Sequence, residues 1–282
     1  MSARDGEYVH GTDREERRRL TRLNERLNPR ALQELRLTPG DRVLDVGCGT
    51  GLLAEAMGQA VGHSGFVLGV ERDNPLLAQA LQQSHETVEF TAAVEFRRGE
   101  LETLPLKPGE WGSFDLAHCR FVLGRCRKPL AVVEGMATAV GQDGRVILEE
   151  DDHDLLRLWP RVPSVERLWR LYIEAYREHG YDPFVGRRLV GLLHEAGLEP
   201  EHCAMPRVGG CAATEDFSFC VDNLSRILRG ATGAITAGGG ASERDIERAL
   251  GELEAWGQRP DAAFWCVTFR AEGRKRAAGD AA

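Results

Sequence analysis

The sequence lacks the patterns that would place it in several common classes of protein. Its seven cysteines are an odd number and include no Cys-x-x-Cys pair, so the sequence predicts neither a disulfide framework nor a zinc site. No apolar run approaches the length of a membrane span, and the polar N-terminus has no apolar core of a secretory signal. These absences favour a cytoplasmic protein with reduced thiols, no resident metal and no association with a membrane.

The sequence also has fewer basic than acidic residues. The 36 Lys and Arg residues are outnumbered by 44 Asp and Glu residues, which gives a net charge of −8. No basic surface is therefore offered to nucleic acid in bulk, and the arginines of residues 14–26 alternate with acids as on a solvated helix face. A chain of 282 residues with 42% hydrophobic content can form one large domain, or a domain with an added cap.

One stretch has a clear local pattern of strand, glycine turn and helix. Residues 43–46 are mostly apolar with β-branched members, and residues 52–57 are typical of a helix. Between them stand Gly47, Gly49 and Gly51. In a parallel α/β sheet such a turn lies at the carboxyl end of a strand, where ligands bind, and its glycines leave room beside the backbone.

The residues around this turn narrow the choice of ligand. Leu52 stands where the dinucleotide fingerprint needs a third small residue, and no lysine follows as in a phosphate-binding P-loop. Asp45, two residues before the first glycine, suits a ligand with positive charge better than a pyrophosphate. S-adenosylmethionine carries an ammonium and a sulfonium. A NAD-dependent oxidoreductase remains an alternative at this point.

Residues 45–51 resemble motif I of the class I S-adenosylmethionine-dependent methyltransferases. The similarity is to the small-molecule branch that includes the ubiquinone/menaquinone-biosynthesis (methyltransferase type 11) group, and it is specific over about residues 42–150. It implies an α/β fold with a doubly wound, Rossmann-like, seven-stranded sheet whose last strand is antiparallel. It further implies an N-terminal helical lid, helical cap insertions, and methyl transfer to a small-molecule acceptor, at O or N, that leaves S-adenosylhomocysteine.

The same resemblance assigns residues to the cofactor. Glu71 ends the second predicted strand, where a carboxylate accepts hydrogen bonds from ribose hydroxyls. Residues 99–101 are similar to the family's Gly-Asp-Leu step at the adenine, with Glu100 in place of Asp. Arg120 ends the fourth strand and is expected to meet the cofactor carboxylate, or else to pair with an acid nearby. The predicted cofactor residues are Tyr8, Asp45, Gly47, Cys48, Gly49, Gly51, Glu71, Arg72, Gly99, Glu100, Leu101, Cys119 and Arg120.

The sequence gives a weaker indication of which residues bind the methyl acceptor. Six titratable residues at 149–154 follow the fifth strand, where the family places substrate-facing groups, and His153 is a candidate general base. Tyr8 is a second candidate for catalysis, because a similar segment in some family members turns its tyrosine toward the cofactor methyl. The acids of this segment could instead hold a substrate amine, or bind a metal together with His153. The structural alternatives are a solvated turn at 149–154 and, for Tyr8, a residue that only holds the N-terminal segment in place. The predicted substrate-binding residues are Glu150, Asp152, His153, Trp169 and Tyr172.

The chain is predicted to run in five segments. These are a lid (1–40), a cofactor-binding core (41–150), a helical cap (151–200), C-terminal strands with a helical insertion (201–272) and a disordered tail (273–282). Local signals also predict a new helix at Asn28-Pro29, a flexible loop at 231–241, and surface positions for Arg97 and Arg98. A homodimer is a further expectation.

The remaining alternatives are a methyltransferase acting on protein or RNA, and a scaffold that binds the cofactor without catalysis. The first is disfavoured by the charge and by the absence of an Asn/Asp-Pro-Pro-Tyr/Phe motif at residues 119–122.

Overall fold

The computed structural model describes residues 14–84 and 93–276, which fall into two compact units. The sheet unit contains residues 20–84, 93–150, 186–204 and 269–276. The helical unit contains residues 14–19, 151–185 and 205–268.

The strands are β1 (Arg42–Val46), β2 (Phe66–Glu71), β3 (Ala93–Arg98), β4 (Phe114–Arg120), β5 (Val140–Asp151), β6 (Arg157–Trp159), β7 (Glu199–Ala204), β8 (Arg207–Cys211) and β9 (Ala263–Arg274). The α-helices are α1 (Arg14–Leu35), α2 (Leu52–Val61), α3 (Asn74–Ser84), α4 (Pro129–Ala139), α5 (Pro163–Glu178), α6 (Leu189–Glu195), α7 (Glu215–Gly230), α8 (Thr232–Ala237) and α9 (Glu243–Gly257).

The sheet unit has the predicted doubly wound arrangement. Its strands follow the order β3-β2-β1-β4-β5-β9, and β7 pairs antiparallel with the C-terminal half of β9. β1 to β5 pair in parallel, so the carboxyl ends of β1, β2 and β4 lie at one edge. The fold class is confirmed, but the described residues form nine strands rather than seven, because β6 and β8 add to β9 in the helical unit.

One face of this sheet is closed by helices. Val43, Leu116 and Ile147 come from three neighbouring strands, and their side chains have no solvent exposure. Leu35 of α1 and Met57 of α2 pack on them. Burial of a leucine-sized side chain stabilises a fold by roughly 1.5–3 kcal/mol, so these contacts hold the C-terminal part of α1 on the sheet.

The helical unit has its own apolar core. α5, α7, α8 and α9 contribute to it, together with Leu158 of β6 and Phe264 of β9. The aromatic stripe of α5 lies inside this core: Trp169, Tyr172 and Tyr176 are all less than 9% exposed. α7 and α9 are capped by the preceding residues Thr214 and Ser242, whose hydroxyls accept from backbone amides of the first turn.

Three local predictions are wrong. α1 continues through Pro29 without a break at Asn28, because packing of Leu32 and Leu35 against the sheet overrides the local signal. Residues 231–241 contain α8, which is held by the buried Ile235. β9 extends to Arg274, so residues 273 and 274 belong to a strand, while 277–282 lie outside the described residues.

In the part of the chain that the structure describes, no helix is both long and apolar enough to cross a bilayer.

Candidate cofactor site

The glycine turn after β1 is folded by backbone hydrogen bonds. The amides of Gly47 and Cys48 both donate to the carbonyl of Val70 on β2, at 2.8 and 3.1 Å. The amide of Gly51 then donates to the carbonyl of Cys48. The φ angles of Gly47, Gly49 and Gly51 are +75°, +57° and +79°, a conformation that side chains disfavour. The turn therefore presents bare backbone at the carboxyl end of the sheet.

Two of these glycines have different surroundings. A Cβ atom added at Gly51 would lie 2.7 Å from the ring of Phe96 and 2.8 Å from Ala80, so this glycine is required for close packing. A Cβ atom added at Gly49 would meet nothing within 4 Å. Space beside Gly49 is what a ligand lying against the turn requires.

Glu71 links the end of β2 to this turn. Its Oε2 accepts from the amide of Gly49 at 2.9 Å, and its Oε1 accepts from the amides of Arg72 and Asp73 at 2.8 Å each. Burial raises the pKa of the Glu71 carboxyl, against these three hydrogen bonds. A carboxylate has about four acceptor positions, so one remains on Oε2 for a ribose hydroxyl.

Asp45 has a protein partner. It is 3% exposed, and its Oδ1 lies 2.8 Å from Nδ1 of His118, the residue opposite it on β4. His118 is itself 1% exposed, and its Nε2 atom is buried without a hydrogen-bond partner in the described structure. The motif I carboxylate is thus tied to β4, a contact that the sequence did not reveal.

The step after β3 lies next to Glu71. The amide of Gly99 donates to the carbonyl of Glu71 at 3.2 Å. Leu101 is buried, whereas the side chains of Glu100 and Arg72 are exposed and half-buried respectively. These residues therefore share one edge of the sheet with the glycine turn.

Arg97, expected at the surface, is partly buried at 16% side-chain exposure. Its guanidinium bonds both carboxylate oxygens of Glu110, at 2.8 and 3.0 Å, as well as the side chain of Glu95. The prediction is wrong for Arg97 because its partner Glu110 comes from a separate turn before β4. Arg98 is exposed, as predicted.

The end of β4 carries Cys119 and Arg120. Burial raises the pKa of the Cys119 thiol well above its ordinary value, and the same holds for Cys48, so both are packed thiols rather than nucleophiles. Arg120 Nη2 donates to the side-chain oxygens of Asn24 and Asn28 on α1, at 2.8 and 2.6 Å. Burial lowers the pKa of the Arg120 guanidinium.

Glu150 has a contact that a solvated turn would not provide. It is 2% exposed, and its Oε1 accepts from the amides of Val122 and Leu123 at 2.6 and 2.5 Å. It therefore fixes the turn that follows β4.

The other predicted acceptor residues belong to the helical unit. His153 is 7% exposed, and its ring lies 5.2, 5.3 and 5.1 Å from the rings of Trp169, Tyr172 and Tyr176. Its Nε2 is 3.4 Å from Oδ1 of Asp151. Trp169 Nε1 donates to the backbone carbonyl of His153 at 2.6 Å. The structure brings His153, Trp169 and Tyr172 into one aromatic cluster.

Asp152 and Tyr8 are the remaining predicted site residues. Asp152, 2% exposed, accepts from the amide of Asp154 and caps the short turn after β5. Tyr8 lies outside the described residues. In the described part of the chain, no group of three His, Cys, Asp or Glu residues is arranged to hold a metal ion.

The sequence interpretation missed several residues near this edge of the sheet. They are Asn24, Asn28, His118 and Arg270, whose Nε lies 3.6 Å from Oε1 of Glu149. His118 has a usable signal, because a polar residue inside an apolar strand is costly unless it is paired. No local pattern marks Asn24 and Asn28 as a pair. The predicted helix break at Asn28 would have separated them, but α1 is continuous and places both on one face.

The fold and the residues at the carboxyl edge of the sheet together define a class of protein. A doubly wound parallel sheet with an acid-glycine turn after β1 and an acid at the end of β2 is typical of proteins that bind a nucleoside cofactor at the carboxyl ends of the strands. The surroundings of Gly49 and the spare acceptor position of Glu71 fit the adenosine part of S-adenosylmethionine.

Comparisons with known proteins give the family. A family model described as a methyltransferase domain matches residues 12–202, more than half of the chain. The ubiquinone biosynthesis O-methyltransferase of Ralstonia nicotianae is 30% identical over 200 residues, which cover 68% of this chain and 80% of that protein. The chain belongs to the S-adenosylmethionine-dependent methyltransferases, and S-adenosylmethionine is the cofactor of this family.

Two further proteins are similar to this chain. A 37.1 kDa protein in transposon TN4556 of Streptomyces fradiae is 29% identical over 212 residues, which cover 73% of this chain but only 56% of that protein. The structure of phosphoethanolamine N-methyltransferase 2 from Haemonchus contortus, in complex with S-adenosyl-L-methionine, has a TM-score of 0.56. The match has 16% identity and covers 89% of this chain and 52% of that one, so it shows the fold alone.

Proposed function

We propose that this protein transfers a methyl group from S-adenosylmethionine to an oxygen or nitrogen of a small molecule. The observation that carries the proposal is the open space beside Gly49, next to a Glu71 carboxylate with one acceptor position left. The O-methyltransferase names of the similar quinone-biosynthesis proteins favour oxygen as the site of methylation.

The residues of this chain would then have separate tasks. Glu71 accepts from a ribose hydroxyl while it holds the amide of Gly49, so one carboxylate orders both the turn and the nucleoside. Leu101 and the Gly99-Glu100 backbone lie at the adenine, and Arg120 receives the carboxylate of the cofactor. The bound cofactor supplies an electrophilic methyl on a sulfonium, and its leaving group is a neutral thioether. Alignment of the acceptor in a dry site is therefore the main requirement.

A base is needed only when the acceptor arrives protonated. We propose His153 for this task, oriented by Asp151 at 3.4 Å, with Trp169 and Tyr172 contributing apolar surface for the acceptor. Tyr8 is proposed to act from the N-terminal segment.

If His153 is the base, His153→Gln lowers kcat at neutral pH and removes the acidic limb of the pH profile, but leaves cofactor binding unchanged. Loss of cofactor affinity instead would indicate a structural role.

Calorimetric titration tests the cofactor part. Wild-type protein should bind S-adenosylmethionine and S-adenosylhomocysteine but not NAD, and Glu71→Ala should abolish that binding. Because Glu71→Ala also releases three backbone amides, Glu71→Gln serves as a milder variant that still accepts at one oxygen. Glu134→Ala, at an exposed position of α4, is the matched control. NAD binding, or full affinity in Glu71→Ala, would contradict the assignment.

A labelling experiment separates the classes of acceptor. Protein incubated with methyl-labelled S-adenosylmethionine and a cell extract should place the label in the small-molecule fraction. Label in the protein or RNA fraction would support a macromolecular substrate instead. Tight cofactor binding without transfer to any fraction would favour a non-catalytic scaffold.

A further inference from the structure

One guanidinium joins helix α1 to the end of β4. Arg120 Nη2 donates to Asn24 and Asn28, which are four residues apart and therefore lie on the same face of α1. Nη1 of the same guanidinium is buried and has no hydrogen-bond partner among the described residues. The side of Arg120 that faces α1 is therefore bonded, and the other side is not.

The charge of Arg120 is also incompletely balanced. Both of its hydrogen-bond partners are neutral amides. Glu149 and Asp45 are the carboxylates that raise its pKa, yet within residues 14–84 and 93–276 no carboxylate oxygen comes within 4.0 Å of its nitrogens. Even a partly buried cation without an ion pair is costly, and an anionic group at the buried Nη1 atom would reduce that cost.

Two acceptor atoms without a hydrogen bond accompany this donor. His118 Nε2 and Glu149 Oε1 lie 4.0 Å apart, and both are buried without a hydrogen-bond partner in the described structure. Because Nδ1 of His118 bonds to the Asp45 carboxylate, which only accepts, Nε2 of the neutral ring is an acceptor as well. Glu149 Oε1 is also paired with Nε of Arg270 at 3.6 Å, so His118 Nε2 is the acceptor that remains for a ligand. An acceptor at His118 Nε2 and a donor at Arg120 Nη1, two residues apart on β4, match a ligand group with both an ammonium and a carboxylate.

We propose that Arg120 is a carboxylate sensor that couples helix α1 to the amino-acid end of the bound ligand. A carboxylate at Nη1 fixes the guanidinium, and the fixed guanidinium holds α1 through Asn24 and Asn28, which act as positioning residues. The inference rests on the proposed use of S-adenosylmethionine. Its consequence is that the order of α1 depends on the ligand's amino-acid end and not on its adenosine.

Two ligands distinguish the effect of the amino-acid end from the effect of the adenosine. S-adenosylhomocysteine has the complete amino-acid end, whereas 5′-methylthioadenosine keeps the adenosine and the thioether but lacks that end. Calorimetry on wild-type protein should give about 10- to 100-fold tighter binding of S-adenosylhomocysteine, the usual effect of a buried charge-assisted hydrogen bond. Hydrogen exchange of residues 20–35 should slow with S-adenosylhomocysteine and much less with saturating 5′-methylthioadenosine.

Three variants sharpen the test. Arg120→Met should bind both ligands with similar affinity. Asn28→Asp places a carboxylate against Arg120, so α1 exchange should slow without ligand and the preference for S-adenosylhomocysteine should fall about tenfold. Asn223→Asp is the matched control, because Asn223 accepts from Arg19 at 2.9 Å in the helical unit and its change should leave the preference intact.

The outcomes distinguish this inference from the proposed function. A wild-type preference retained in Arg120→Met, or equal protection of α1 by both ligands, would overturn the sensor and leave the cofactor assignment standing. If wild-type protein binds neither ligand, the cofactor assignment itself fails, and the sensor fails with it.

Discussion

Gly47 and Gly49 stand two positions apart in one turn, but an added methyl group would meet different surroundings at each. At Gly47 it would lie 2.4 Å from Cγ2 of Val122, whereas at Gly49 it would lie in open space. Both residues have positive φ angles, so any L side chain there is strained by about 1 kcal/mol or more. The first glycine is required by the packing of the protein, and the second is available to a ligand.

We therefore expect the same substitution to affect mainly stability at Gly47 and mainly ligand binding at Gly49. Gly47→Ala should lower the free energy of unfolding by about 2–4 kcal/mol, from strain and overpacking together. Gly49→Ala should cost only about 1 kcal/mol but should weaken S-adenosylhomocysteine binding at least tenfold. Urea denaturation and calorimetry on both variants measure the two quantities. Unimpaired binding by Gly49→Ala would show that no ligand lies against this glycine.

At the scale of elements, β3 is joined to the turn before β4 by Arg97 and Glu110. The two-pronged hydrogen bond from Arg97 lowers the pKa of Glu110 from 4.5 to about 2. A carboxyl group with a lower pKa in the folded state stabilises the fold above its unfolded pKa. That contribution is lost as the pH falls from about 4.5 toward about 2.

Glu110→Gln should consequently destabilise the protein by on the order of 2 kcal/mol at pH 7. The difference from wild type should shrink at pH 3, because Glu110 is then protonated in the unfolded state while it is still mostly ionised in the folded state. Chemical denaturation at both pH values provides the measurement, with the exposed Glu134→Gln as control. A difference that stays constant between pH 7 and pH 3 would show that the ion pair does not carry this stability.

At the scale of the whole molecule, the described residues that we propose for the cofactor all belong to the sheet unit. His153, Trp169 and Tyr172, which we propose for the acceptor, all belong to the helical unit. Conformational change within one unit can therefore be measured separately from change within the other, by hydrogen exchange of the peptides of each.

Ligand binding should stabilise the sheet unit by mass action. At a hundredfold excess over Kd, S-adenosylhomocysteine should raise the free energy of opening by about 2.7 kcal/mol, which slows exchange of the most protected amides of β1 and β4 about 100-fold. NAD at the same concentration should leave them unchanged. If NAD slowed the exchange of these amides equally, the cofactor assignment would be contradicted.

The sequence by itself determined the sheet, the glycine turn and the acid at the end of β2. These features depend on local information: apolar strand runs, glycines that allow positive φ, and an Asn-Pro start at α3 that the structure retains. Local rules failed at Pro29 and at residues 231–241, where burial of Leu35 and Ile235 outweighs the helix-breaking signals.

Only the tertiary structure decided how the charged groups of the site are used. Asp45 meets His118 from 73 positions away, and Arg120 meets Asn28 from 92 positions away. Glu71 has three of its acceptor positions filled by backbone amides, including the amide of Gly49 from the preceding turn. The strength of a hydrogen bond or ion pair depends on distance and burial in space, and neither quantity is written in the order of residues along the chain.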